Sequence, residues 1–451
     1  MSGRIILGLS LSLLMFVVAR SGVNASVSFD SPSFLFTAAK QYDPLAWTRG
    51  SDRFPAGAAI MVRDANGRHP LVPNFSASAD PAVSFDGTRS LFAGKLKAQD
   101  PWQVWEITLA GGDPRRVTSG SEDCVRPFYL SDDRIVYARK TAGRFVLEVL
   151  ALSGGKPLPL TFTPANSLPT DVLRDGRILF ESIAQLPAGE VPEIYAVYSD
   201  GSGVESYRCD HGPARFAARQ VTSGDIVFAS AKGLAKFTSA RAHEIPVAAP
   251  SGEYAGEVAE TPSGDWLLAW RQSAKTPFEL RFWTPGSAKL RPAADESTMN
   301  LLQPELIVTR TVPKQHPSGL HDWPNANLLC LNAYTSKYQF AAGSIQSVRL
   351  YTRDEMGKPK PLGTAAVERD GSFFIQVPTE QPLQIELLDA AGKPLKRESG
   401  FFWARRGEQR TCVGCHAGPE TAPENAVPFV LLKSTTPADM TGTTASAAGG
   451  H

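Results

Sequence analysis

The sequence predicts an all-β protein: a six-bladed propeller over roughly residues 30–310, followed by a smaller β-rich domain over 313–433. Three observations carry this. A turn-then-strand element recurs at spacings of 41 to 48 residues, a second element recurs in phase with it, and a new series of short strands begins after Pro313. The composition agrees, because Gly 38 and Pro 35 in 451 residues supply many turns and favour short strands over long helices.

The first element runs from Ser84-Phe85-Asp86-Gly87 into Leu91-Phe92-Ala93. It returns as Ser131-Asp132-Asp133 into Ile135–Ala138, Arg174-Asp175-Gly176 into Ile178–Ser182, Thr222-Ser223-Gly224 into Ile226–Ala229, and Pro262-Ser263-Gly264 into Trp266–Trp270. The second runs from Val104–Ile107 into Gly111-Gly112, from Val146–Val149 into Gly154-Gly155, and from Glu193–Val197 into Asp200-Gly201. Tight hairpin turns need positive φ, which glycine adopts without strain. Each unit reads as a four-stranded antiparallel sheet, which buries both faces only when it packs against neighbours. Five units are clear. A sixth begins with Phe34-Leu35-Phe36 and Ala59–Val62, and ring closure is expected with a strand near Glu305–Thr309.

The remaining chain divides at its ends. Arg4, the apolar run Ile5–Ala19 and the small residues Val23-Asn24-Ala25 read as a signal peptide over 1–25, with an uncleaved anchor as the alternative, so export to a periplasm is expected. No later apolar run approaches the ~20 residues of a membrane span. Lys+Arg 46 against Asp+Glu 45 leaves no electrostatic footprint for nucleic acid. In the second region, 328–333, 345–352, 363–368, 372–377 and 383–388 read as strands. Residues 434–451 are Ser, Thr, Ala and Gly rich and are expected to be a disordered tail.

The chemistry concentrates at Cys412-Val413-Gly414-Cys415-His416. Two thiols three residues apart suit the two vinyl groups of a haem, and the adjacent imidazole suits its iron. A redox dithiol would need a thioredoxin-like βαβ setting, and a zinc site a second ligand pair; the sequence offers neither. One covalent haem c is therefore expected, with Cys412 and Cys415 as thioethers and His416 as proximal ligand. Phe402 and Trp403 either cover a haem face or belong to the domain core. Arg405, Arg406 and Arg410 either pair haem propionates or form solvated surface. His316 and His321 are either distal ligands or ordinary connector histidines, a five-coordinate haem is the other option, and Met440 is set aside because it lies in the tail. Cys330 is either a buried small side chain or a contact of the haem site. Cys124 and Cys209 fall at like positions in their repeats, where a disulfide, a polar channel-mouth site and no role all stay open.

Two resemblances follow from these motifs. The repeat resembles that of TolB-like propellers over about 280 residues, which implies fold and little about function. The combination of His316–Gly319, Cys330–Asn332, Trp403 and Gly407–His416 resembles the hydrazine synthase alpha-subunit family. That resemblance implies a propeller followed by a haem-bearing middle domain. The family carries a further C-terminal haem domain, which the single CxxCH here does not match. The architecture and haem site carry over; the reaction does not. The expected function is periplasmic electron transfer or small-ligand redox chemistry, as a c-type cytochrome-like protein or haem-dependent oxidoreductase subunit. The partner would be a periplasmic redox protein or other subunits. The alternatives are a propeller scaffold with a structural haem, or a hydrazine synthase alpha-like subunit.

Overall fold

The computed structural model describes residues 32–186, 189–208, 213–240, 242–294, 297–336, 338–354, 356–415 and 426–442. The signal-peptide expectation, Cys209 and His416 lie outside these residues.

Six four-stranded antiparallel sheets succeed one another along the chain from Phe34 to Leu306. The second to sixth are each continuous in sequence, and their innermost strands are Ala77–Val83, Cys124–Tyr129, Ser167–Val172, Phe216–Gln220 and Glu253–Glu260. The first is composite. Its strand Phe34–Ala39 pairs outward with Ala59–Asp64 and inward with Asn300–Leu306, in a register that sets Thr37 opposite Leu302. Closure thus uses a strand starting a few residues earlier than expected. The reason is burial: Leu301, Leu302 and Leu306 all enter the core shared with Phe34, Phe36 and Phe282, and Ile307 only caps the strand by donating to the Ser33 carbonyl.

Each innermost strand is broken by a bulge, and five of them place a non-glycine residue in the left-handed region. These are Asp80, Arg126, Ala217, Glu257 and Gln303, with φ between 53° and 59°. A bulge re-aims a side chain, and here four of the five are polar and buried together. Asp80 accepts from Arg53 at 2.6 Å, from the Gln303 amide at 2.6 Å and from the Arg126 N–H at 3.0 Å. Arg126 also pairs with Glu257, and Thr37 donates to Gln303 at 2.7 Å. Burial pushes the Asp80 carboxyl up, but Arg53 and Arg126 overcome it and hold the group below the usual carboxylate range.

The second region contains two more four-stranded sheets. One is wholly antiparallel, in the order Pro359–Ala366, Ser347–Arg353, Gln384–Leu388, Pro394–Arg397. The other is mixed: Asn325–Cys330 lies between Phe373–Pro378, antiparallel, and Gln409–Cys412, parallel. Their shared core holds Leu328, Val348, Leu350, Phe373, Ile375 and Leu387. The expected tail needs correction over 434–442. Ala438–Asp439 pairs in parallel with Ile375 and Gln376, and Met440 is buried in this core, donating its N–H to the Gln376 carbonyl at 2.9 Å. Low complexity concealed one apolar side chain that fills the sheet-to-sheet space. Among the described residues, no helix is long and apolar enough to cross a membrane.

One carboxyl in the propeller centre generates a pH prediction. Burial pushes Glu181 from its ordinary 4.5 up to about 7, aided by Glu257 and opposed by Arg126, Arg53 and the Ala217 N–H. The folded protein therefore holds a proton that the unfolded chain releases earlier, so this group's contribution to stability falls as pH rises from 4.5 towards 7. Glu181→Gln keeps the neutral form at every pH. Thermal unfolding should show the variant gaining on the wild type between about pH 5 and about pH 7.5. A difference between the two that does not vary with pH would contradict the assignment.

Candidate functional site

The candidate site forms where the chain returns from the propeller to the mixed sheet. Leu383 and Phe402 make an isolated antiparallel bridge, with hydrogen bonds of 2.8 and 3.1 Å between their backbones. Successive residues of an extended segment point to opposite sides. Trp403 accordingly faces the propeller, while Phe402 packs between the second-region core and the propeller. Trp403 is 1 % exposed, sits edge-on to Phe162 with ring centres 6.1 Å apart, and donates its indole N–H to the Gly201 carbonyl at 3.0 Å. Of the two readings given to Trp403 from sequence, neither matches: it anchors the second region in the core of the third and fourth blades.

Past this anchor, Gln409–Cys412 pairs alongside Asn325–Cys330 and places Cys412 beside Cys330. The Leu331 N–H donates to the Cys412 carbonyl at 2.9 Å and extends the ladder. The Cys412–Cys415 turn then lies on the loop Asn332–Thr335. Gly414 is required there, because a Cβ would stand 2.1 Å from the Thr335 carbonyl oxygen. Asn332 shapes that loop by accepting the Tyr334 N–H at 2.9 Å. The separate sequence signals Cys330-Leu331-Asn332 and Cys412-Val413-Gly414-Cys415 are thus two sides of one contact.

A cavity of about 170 Å³ opens at this contact. Cys330, Cys412 and Cys415 line it together with Phe401, Phe402 and Ile385, and blade four contributes Tyr195 and Val204. Arg410 also lines it. Its guanidinium donates to the Val204 carbonyl and lies 5.5 Å from the Phe402 ring centre, while its Nη1 is buried with no hydrogen-bond partner. Burial pushes the Cys412 thiol up, opposed by Arg410. A hydrogen bond with the Cys415 thiol, together with burial, pushes the Cys330 thiol well above its ordinary value. Both thiols are therefore protonated near neutral pH.

The other candidates lie elsewhere. His316 stacks on Tyr198 with ring centres 3.7 Å apart, and His321 stacks on Trp323 at 5.0 Å; neither lines the cavity. The structure therefore does not bring either distal-ligand candidate to the cavity. Arg405 pairs with Glu380 at 3.1 Å and Arg406 with Asp322 at 2.8 Å, which leaves Arg410 as the arginine at the cavity. Cys124 is buried in the third blade, where desolvation pushes its thiol up to about 11. Among the described residues, no group of three His, Cys, Asp or Glu side chains is placed to hold a metal ion.

Fold and site together define a β-propeller protein whose second region presents a cysteine-lined apolar cavity. Residues 332–417 match the family described as the hydrazine synthase alpha subunit middle domain. The hydrazine synthase subunit alpha of Kuenenia stuttgartiensis is 31% identical over 77 residues, covering 17% of this chain and 10% of that protein. The aligned stretch thus spans about a tenth of that relative's length. The solved structure of Kuenenia stuttgartiensis hydrazine synthase superposes with a TM-score of 0.77 at 17% identity, covering 89% of this chain and 72% of that chain. TolB from Acinetobacter baumannii superposes with a TM-score of 0.46 at 13% identity, covering 63% of this chain and 67% of that one. Residues 332–417 are thus similar to the hydrazine synthase alpha subunit middle domain, and this stretch supplies most of the cavity lining, including Cys412 and Cys415.

Trp403 supplies a direct test of the anchor. Trp403→Ala leaves a void between blades and an unpaired Gly201 carbonyl, and should cost about 3–5 kcal/mol in denaturant unfolding. A loss under ~0.5 kcal/mol, as for an ordinary surface position, would contradict the placement.

Proposed function

We propose that this chain is an exported, haem c-bearing subunit of the hydrazine synthase alpha type, working with other subunits in redox chemistry on a small nitrogen compound. The observation that carries this is the cavity: it gathers both thiols of the attachment motif, four aromatic side chains and one buried arginine nitrogen without a partner. These residues fit a haem. Cys412 and Cys415 would hold it covalently, Phe402 would pack on it, and the unpartnered Arg410 nitrogen suits a propionate. His416 is the proposed axial ligand. At about 170 Å³ the cavity is smaller than the roughly 300–1,000 Å³ usual for cofactor sites, so a haem would extend beyond these walls.

When bound, the haem would supply one-electron chemistry and a metal site for a small ligand. The chain's own part is positional. Gly414 seats the thiols against the Asn332–Thr335 loop, Trp403 ties that seat to the propeller, and the apolar walls keep water from the attachment edge. The middle-domain match supports the subunit reading over a free-standing electron carrier or a scaffold with a structural haem. The N-terminal Arg4, Ile5–Ala19 and Val23–Ala25 pattern supports export to the periplasm.

The test is haem staining after denaturing electrophoresis of protein made with a haem-attachment system. Wild type should stain at full mass, and Cys412→Ala with Cys415→Ala should not. Equal staining of both would overturn the proposal.

A further inference from the structure

A second cavity lies at one mouth of the propeller channel and shares no lining residue with the thiol site. Its volume is about 630 Å³, within the roughly 300–1,000 Å³ of small-molecule sites. The innermost strands of the fourth, fifth and sixth blades end in its wall, and the closing strand Asn300–Leu306 adds Glu305 and Leu306. The chain beyond that strand spans the mouth. The Arg310 N–H donates to the Phe85 carbonyl at 2.8 Å and the Lys314 N–H to the Arg174 carbonyl at 2.9 Å, so residues 311–313 run from the second blade to the fourth.

Six charged side chains line this cavity, three of each sign: Arg174, Arg219 and Arg310 against Asp171, Glu260 and Glu305. Four of them are already engaged by backbone. Arg174 and Arg310 donate to the Val221 and Val83 carbonyls, Asp171 accepts the Val172 and Gln220 N–H groups, and Glu260 accepts the Thr222 N–H. Arg219 and Glu305 differ. They are 8 % and 5 % exposed, and their charged groups stand 3.3 Å apart. Arg219 meets Asp171 only at 3.8 Å, and its Nε is buried without a hydrogen-bond partner. The other neighbour of Glu305 is Arg310, at 3.4 Å. A buried ion pair offsets its desolvation only when further hydrogen bonds satisfy its remaining protons and lone pairs. Here that capacity is left over at the wall of an open cavity.

We propose that this mouth binds a small zwitterion, an amino acid or a short peptide with both ends free. Charge selects the class. The lining is balanced, so a ligand of one sign leaves half of it unmatched, whereas a molecule carrying an ammonium and a carboxylate meets both halves. The carboxylate takes the Arg219 and Arg310 guanidiniums, whose planar forks suit it. The ammonium takes Glu305 and Asp171. Burial pushes the Asp171 carboxyl up, and a positive group beside it acts in the opposite direction. Phe85, Val258, Leu306 and Val308 supply an apolar wall for a ligand side chain. The proposal does not depend on the covalent-haem reading.

The experiment is isothermal titration calorimetry on the full chain near neutral pH, with leucine and trialanine as probes. Saturable one-to-one binding of at least one is expected, and the tighter of the two tells a free amino acid from a peptide. Acetylating the amine or amidating the carboxylate of that probe removes one charge, and each change should weaken binding at least about tenfold. Arg219→Gln should weaken the unmodified probe as much. Arg310→Ala, at a side chain 38 % exposed, should also weaken it and serves if Arg219→Gln does not fold. No saturable binding of either probe would overturn the proposal. So would a probe blocked at both ends that binds as tightly as the free one, or glucose, a neutral polar control, binding more tightly than both. Unaltered affinity in the folded variants would place the site elsewhere and overturn it too.

Discussion

The segment from Phe401 to Cys415 is held from two sides, and the site depends on that double grip. On one side Trp403 is buried between blades and bonded to Gly201, and the Glu408 carboxylate accepts the Gly203 N–H at 3.0 Å. On the other, Phe402 bridges to Leu383 and Gln409–Cys412 pairs with Asn325–Cys330. Neither grip alone would form the cavity. The propeller supplies one wall through Tyr195 and Val204, and the mixed sheet supplies the thiols. Propeller and second region are therefore coupled energetically as well as joined in sequence, and the site is a property of the two together.

The propeller can serve as one wall because its centre is fixed by charge as well as by apolar packing. Asp80, Arg126, Glu257 and Gln303 come from four different blades and converge through bulges in their innermost strands. Leaving any one of these charges without its partner in a dry interior is strongly destabilising, of order 3–5 kcal/mol. The ring is thereby closed twice, once by the backbone pairing of Phe34–Ala39 with Asn300–Leu306 and once by the cross-channel network. The Thr37–Gln303 hydrogen bond belongs to both.

Much of this was legible in the sequence, and the gaps have physical causes. The blades announce themselves because every hairpin needs a turn residue and every second strand is apolar. The closing strand was placed a few residues late because Asn300–Leu306 carries Gln303 and Pro304 where a β pattern would be apolar. That interruption is the signature of the bulge, and it recurs as Asp80-Pro81 and Arg126-Pro127. A polar residue before proline inside an inner strand is the local sequence signal of the buried network. At the site, the motif fixed Cys412 and Cys415, but the side facing of Phe402 and Trp403 depends on a single bridge that no local pattern reveals. Met440 shows the opposite failure, since composition speaks for a stretch of chain and cannot register one side chain that finds a core.

The central claim is that the cavity at Cys412 and Cys415 is a covalent haem site. The most direct measurement is tandem mass spectrometry of a protease digest of the exported protein. The account predicts a peptide spanning Cys412 to Cys415 that carries the mass of one haem on its two cysteines, with Cys330 and Cys124 unmodified. The same peptide recovered without haem, from protein made where another c-type cytochrome is fully loaded, would contradict it.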